Sequence, residues 1–173
     1  MIRKVTIFIA VVLLQSSYLS AHDITLNNTP VSVYFSPHGG GQQAIVDAIG
    51  LAKESVHVQA YSFTSASIAK ALVDAAKRGV KVEVILDKSQ RKETYTGATF
   101  LRNEGIPVYI DAAHAIAHNK VMVLDGQTVV TGSFNFTKAA EERNAENLLI
   151  LRDADLARLY MENWERHRGH SDQ

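Results

Sequence analysis

Three features of the chain predict an α/β fold in which a mixed sheet is sandwiched between helices. Short β-branched apolar runs alternate with longer stretches whose apolar residues recur at helical spacing. Asp125-Gly126 lies between two apolar runs, the signal for an antiparallel hairpin, so the sheet is not purely parallel. The 173 residues are 46% hydrophobic and 21% charged, which suits one globular domain able to bury its own core.

The elements follow in order. Residues 1–21 read as a secretory signal peptide: Arg3 and Lys4 precede an apolar run over residues 5–14, and Ser16, Ser17, Ser20 and Ala21 permit cleavage after Ala21. That run is shorter than the roughly 20 residues that span a bilayer. The expectation is therefore an exported protein, periplasmic or extracellular, without stable membrane association, whose single domain covers residues 22–173. Strands are expected at residues 31–36, 56–63, 80–86, 108–111, 118–124, 127–131 and 147–151. Helices are expected at residues 43–55, 65–78, 99–103 and 155–167. Residues 87–97 are polar and carry Lys88, Arg91 and Lys92, the candidate surface loop for steering a polyanion or simply a solvated one.

Charge and cysteine content narrow the functions. Loss of Arg3 and Lys4 leaves 16 basic against 18 acidic residues, a formal −2, which is not the balance of a protein that coats nucleic acid. With no cysteine, disulfides, thiolate nucleophiles and cysteine-based zinc sites are excluded.

The chemistry concentrates in residues 118–135. His118 and Lys120 are two apart and share a strand face. A two-residue turn at Asp125-Gly126 would pair Leu124 with Gln127, placing Lys120 opposite Thr131 and His118 opposite Ser133, with Asn135 two residues on. Polar groups gathered on a core-forming hairpin cost stability unless they are satisfied or used. Imidazole serves as nucleophile and proton carrier near neutral pH, while Lys, Ser and Asn donate to phosphate oxygens. No acidic cluster stands beside them to hold a hard cation, so the group suits phosphoryl transfer without metal or cofactor. Asp125 reads as a structural turn residue together with Gly126.

The spacing His118-x-Lys120-x4-Asp125-x6-Gly132-Ser133-x-Asn135 resembles the signature of the phospholipase D superfamily. Glu146 resembles the downstream glutamate of that family, and the likeness to its small bacterial single-motif endonucleases runs over essentially all of residues 22–173. The resemblance implies attack by His118 on phosphorus, a phosphohistidine intermediate, and its hydrolysis by water. It implies that Glu146 hydrogen-bonds the imidazole, that Lys120 and Asn135 grip phosphate oxygens, and that Ser133 supports them. Larger members carry two motifs, so a chain with one implies a homodimer. DNA is the implied substrate, with RNA beside it; lipid hydrolysis and non-catalytic nucleic-acid binding are the alternatives.

Other residues carry simpler readings. His114 and His118 have the spacing of a helical metal pair, but no third ligand is evident and none is expected. His22, His167 and His170 lie near the mature termini and receive no role, and His57 reads as core or sheet surface. The amides of Gly39, Gly40 and Gly41, after His38, precede a helix and could receive a phosphate or serve only as its entry. Tyr61, Phe63, Phe134 and Phe136 read as core.

Overall fold

The computed structural model describes residues 22–26, 28–91 and 97–173. The expected signal peptide and Lys92 lie outside the described residues. The strands are β1 (Val31–Ser36), β2 (Ser55–Ala60), β3 (Lys81–Asp87), β4 (Val108–Asp111), β5 (Lys120–Leu124), β6 (Thr128–Gly132) and β7 (Glu146–Arg152). The helices are α1 (Gly41–Leu51), α2 (Ala66–Lys77), α3 (Gly97–Asn103), α4 (Lys138–Glu142) and α5 (Ala154–Gly169). The expected mixed sheet between helices is present, with one helix, α4, and a 3-10 turn at Lys88–Arg91 added.

All seven strands form one sheet in the order β1-β7-β6-β5-β2-β3-β4. Pairing is parallel at β2–β3 and β3–β4 and antiparallel elsewhere. The hairpin arm β5 docks beside β2, in the middle of the sheet, which is why its residues 120–124 are all buried. The two faces are covered unequally. Helices α1 to α4 share the larger core, which holds Phe63, Phe134 and Phe136. On the other face α5 packs Ala157 against Val121, Val123 and Val129, and Trp164 against Ile85 and Tyr109. The Trp164 indole donates to the Val58 carbonyl at 3.0 Å, so this large ring is buried with its N–H satisfied.

Helix ends follow their capping residues. Ser65, Thr137 and Asp153 each cap a helix with a side-chain oxygen that accepts a backbone N–H of its first turn.

The hairpin departs from expectation by one residue. Asp125 and Gly126 both have positive φ, at 53° and 61°, and the Gln127 amide donates to the Leu124 carbonyl at 3.0 Å, as a tight turn requires. Yet Leu124 pairs with Thr128, Val123 with Val129 and Met122 with Val130, so Gln127 is extra and the expected register is shifted. The turn is anchored from outside: Asp125 accepts the amides of Lys53, Glu54 and Ser55, and its own amide donates to the Ser55 carbonyl. Burial pushes the Asp125 carboxyl up, but the amides of Ser55, Glu54 and Lys53 outweigh it and hold it below the usual range. The structural role read for Asp125 is thus given a physical basis.

Candidate active site

His118, Lys120, Ser133 and Asn135 stand at one end of β5 and β6, and Asp125 is at the turn that forms the other. His118 is not inside the strand: β5 begins at Lys120, and His118 is exposed on the loop leading into it. Its ring packs on Tyr61, with centroids 4.6 Å apart. Tyr61 follows β2, and its amide donates to the Asn119 carbonyl at 2.8 Å, which ties the end of β2 to the histidine loop. The expectation that Tyr61 belongs to the core is corrected: it is half-buried and forms a wall of the site.

Lys120 is 7% exposed, an ammonium largely removed from water. It donates to the His118 carbonyl at 2.9 Å and lies 5.2 Å from the centre of the Tyr61 ring. Burial lowers its pKa, and the charge of Glu146 partly restores it.

Past β6 the polar and apolar roles alternate. Phe134 and Phe136 are 1% and 0% exposed and enter the main core, while Ser133 and Asn135 between them are half-buried. Burying Phe134 and Phe136 holds the two polar neighbours on the opposite side. Gly132 lets this segment approach β7. Its φ is 146°, and a Cβ there would stand 2.3 Å from the Asn147 carbonyl, which accepts the amides of Ser133 and Phe134. The Asn135 amide oxygen is buried with no hydrogen-bond partner. An unmet buried polar atom is costly in a finished core and useful beside a substrate.

Glu146 opens β7. One oxygen accepts from the Ser133 hydroxyl at 2.5 Å and the other from the Asn144 amide at 3.0 Å. Its backbone amide donates to the Ser36 hydroxyl, which in turn donates to the Asn144 carbonyl. The Asn147 amide donates to Ser133 at 3.1 Å. Within the chain the Glu146 carboxylate accepts from Ser133 and Asn144, and the expected bond to His118 is not among its hydrogen bonds. Sequence reasoning missed Tyr61, Ser36, Asn144 and Asn147; they lie outside the linear motif, and only strand pairing brings them to it.

Two further sequence readings are resolved. Of the glycine amides where a phosphate could have bound, that of Gly40 donates to Glu141 at 2.9 Å, and the neighbouring Gln42 amide donates to its other oxygen at 2.8 Å. The protein's own carboxylate fills that position. Lys88 and Arg91 line a cleft of about 490 Å³ together with Tyr61, Asp87, Ser89, Ala112, Ala115 and Ile116. Lys88 donates to the His114 carbonyl and Arg91 pairs with Asp172, so both are positioned rather than free.

An exposed imidazole beside a sequestered ammonium, with a hydroxyl and two amides in reach of the same strand end, is a group of side chains suited to phosphodiester hydrolysis. The comparisons agree. The model of the cardiolipin synthase, phospholipase D-like domain matches residues 45–168, and the chain belongs to the phospholipase D superfamily. It is 44% identical over 139 residues to a phospholipase D of Rickettsia bellii, covering 80% of this chain and 69% of that protein. It is 34% identical over 122 residues to the mitochondrial cardiolipin hydrolase of Xenopus laevis, of which it covers 58%. Its fold is similar to the crystal structure of Nuc, a phospholipase D family member from Salmonella typhimurium, with a TM-score of 0.78, 39% identity, and 83% and 96% of the two chains covered.

Proposed function

We propose that the protein is an exported, metal-independent endonuclease that cleaves DNA, and RNA by the same chemistry, as a homodimer. The observation that carries this reading is the exposed His118 ring, free of the chain's own carboxylates and packed on Tyr61, a residue that also lines the cleft holding Lys88 and Arg91. A ring nitrogen of His118 attacks phosphorus while the ester oxygen leaves with a proton from a second histidine. Water then attacks the phosphohistidine and gives a proton to the second histidine, the P–N bond breaks, and the free imidazole returns. Lys120 neutralises the non-bridging oxygens, and Asn135 supplies a further polar contact.

The second histidine is supplied in this reading by His118 of the partner subunit. An apolar strip supports a dimer: Val31, Val33 and Phe35 on edge strand β1 are 44%, 51% and 68% exposed on the face that α5 leaves bare. The strip ends at Ser36, beside Glu146, so a two-fold contact there would bring two sites together. In a mixture with equal amounts of His118→Asn chains, activity per total protein should fall to roughly a quarter, not half, if both histidines are needed.

The primary test is cleavage of DNA by residues 22–173 in excess EDTA, with His118→Ala alongside and phosphatidylcholine and cardiolipin vesicles as parallel substrates. DNA cleavage by wild type alone supports the reading. Phosphatidate release without DNA cleavage would replace it with the lipid reading that the names of the Rickettsia and Xenopus relatives suggest. Binding of DNA without turnover would leave a non-catalytic module.

A further inference from the structure

A second group of histidines gathers at the far edge of the sheet. Asp111 ends β4, and its side chain is fully buried. Three rings from two separate parts of the chain converge on its carboxylate. His114 Nδ1 is 3.2 Å from both oxygens, His167 Nδ1 is 2.6 Å from Oδ2, and His170 Nε2 is 3.4 Å from the same oxygen. One ligand atom from each residue can be chosen so that all lie within 4.8 Å of one another. His118, the partner that spacing suggested for His114, is not in the group.

We propose that Asp111, His114, His167 and His170 form a structural binding site for a zinc-class transition ion. The donor set is three imidazole nitrogens and one carboxylate oxygen, which suits zinc and disfavours magnesium and calcium. The arrangement of the rings matches as well. Imidazoles on bonds of about 2.0 Å at tetrahedral angles have centroids about 5 Å apart. The three pairs here measure 4.8, 5.2 and 5.2 Å. In a tetrahedral site the ligand atoms lie about 3.4 Å from one another; the 2.6 Å His167–Asp111 contact would open to that and the wider pairs, within 4.8 Å, would close to it. His114 and His170 have side chains 45% and 38% exposed, which leaves the ion a way in.

The surroundings hold these ligands in place. The Asp111 carboxylate also accepts the Ala113 amide. Burial pushes its pKa up, but His167, His114, the Ala113 amide and His170 together bring it down to about 2. His114 is fixed through its carbonyl by Lys88, and Ser171 donates to the His167 carbonyl. The tail is paired to β4 through reciprocal Ile110 and Asp172 backbone bonds. With all four positions filled by protein, the site is closed and has no place for a reacting water. Its effect is mechanical: it fastens the end of α5 and the C-terminal tail to the loop that runs from β4 to His118. A bound ion and metal-independent chemistry at His118 are therefore compatible.

The test is calorimetric titration of EDTA-stripped residues 22–173 with Zn²⁺, repeated with Co²⁺ to read coordination from visible absorption. The expected result is one ion per chain at sub-micromolar Kd, a tetrahedral Co²⁺ spectrum, and a rise in Tm on loading. The double variant His114→Ala, His170→Ala alters only partly exposed rings and should fold. It should bind about a hundredfold or more weakly, as should His167→Ala, while His118→Ala binds like wild type. Absence of binding at millimolar Zn²⁺, affinity unchanged in the double variant, or affinity lost in His118→Ala would each overturn the assignment. None of these readouts uses nucleic-acid cleavage, so the assignment fails or stands apart from the nuclease reading.

Discussion

Two regions of this protein join histidine to carboxylate, and they do so in opposite ways. At Asp111 three imidazoles turn inward on one fully buried carboxylate. At the β5–β6 end His118 is exposed and makes no bond to Glu146, whose oxygens are held by Ser133 and Asn144. The first group can satisfy itself or close around an ion. The second leaves an exposed imidazole, a sequestered ammonium and, on Asn135, a buried amide oxygen with no partner. Residue types alone do not distinguish a structural site from a reactive one; the fraction of polar capacity already used inside the protein does.

The largest effect that would sharpen this contrast is at His118. His118→Ala should lower single-turnover phosphodiester cleavage by on the order of 10³ or more, with the thermal midpoint and Zn²⁺ affinity unchanged. A fall in stability of similar size to wild-type unfolding would instead make His118 a packing residue. Next comes the phosphate grip: Lys120→Gln and Asn135→Ala should each cost about 10²–10³ in kcat, read in steady-state assays. Lys120→Gln should also remove a buried charge without unfolding the chain, which circular dichroism would check.

The other region should answer to chelation rather than to substrate. EDTA should lower the Tm of wild type by several degrees and leave the Tm of the His114→Ala, His170→Ala variant unmoved. Equal response of both would dissolve the distinction between the regions. The smallest effect belongs to the hairpin anchor. Asp125→Ala removes the acceptor for three backbone amides and should destabilise by about 1–3 kcal/mol in urea titrations. The folded-state pKa of Asp125 lies below its unfolded value, so its contribution is present above that unfolded value and is lost as pH falls through the lower, folded one. The Tm difference between wild type and Asp125→Ala should therefore shrink on acidification and not on raising the pH.

Much of the fold was legible because its signals are local. Alternating runs, helical spacing and the Asp125-Gly126 turn identified every strand, and the bounds moved by only a few residues at most ends. Helix α4 was missed because five residues are too few to show a period. The hairpin register was missed because the extra residue, Gln127, depends on how Asp125 is held by Lys53, Glu54 and Ser55, more than seventy positions earlier in the chain by the longest of these bonds.

The site divides along the same line. The amino-acid sequence by itself picked out His118, Lys120, Ser133 and Asn135 as one group, since they lie on a single hairpin and the segments that enter and leave it, although the register between its arms was not legible there. Tertiary structure alone decided that Tyr61 walls the histidine, that Glu146 accepts from Ser133, and that His167 and His170 return to Asp111. Those contacts depend on which strands lie side by side, with β5 seated against β2 and α5 crossing back to β4. Local patterns state which face of an element is buried; only the shared core decides which element it is buried against.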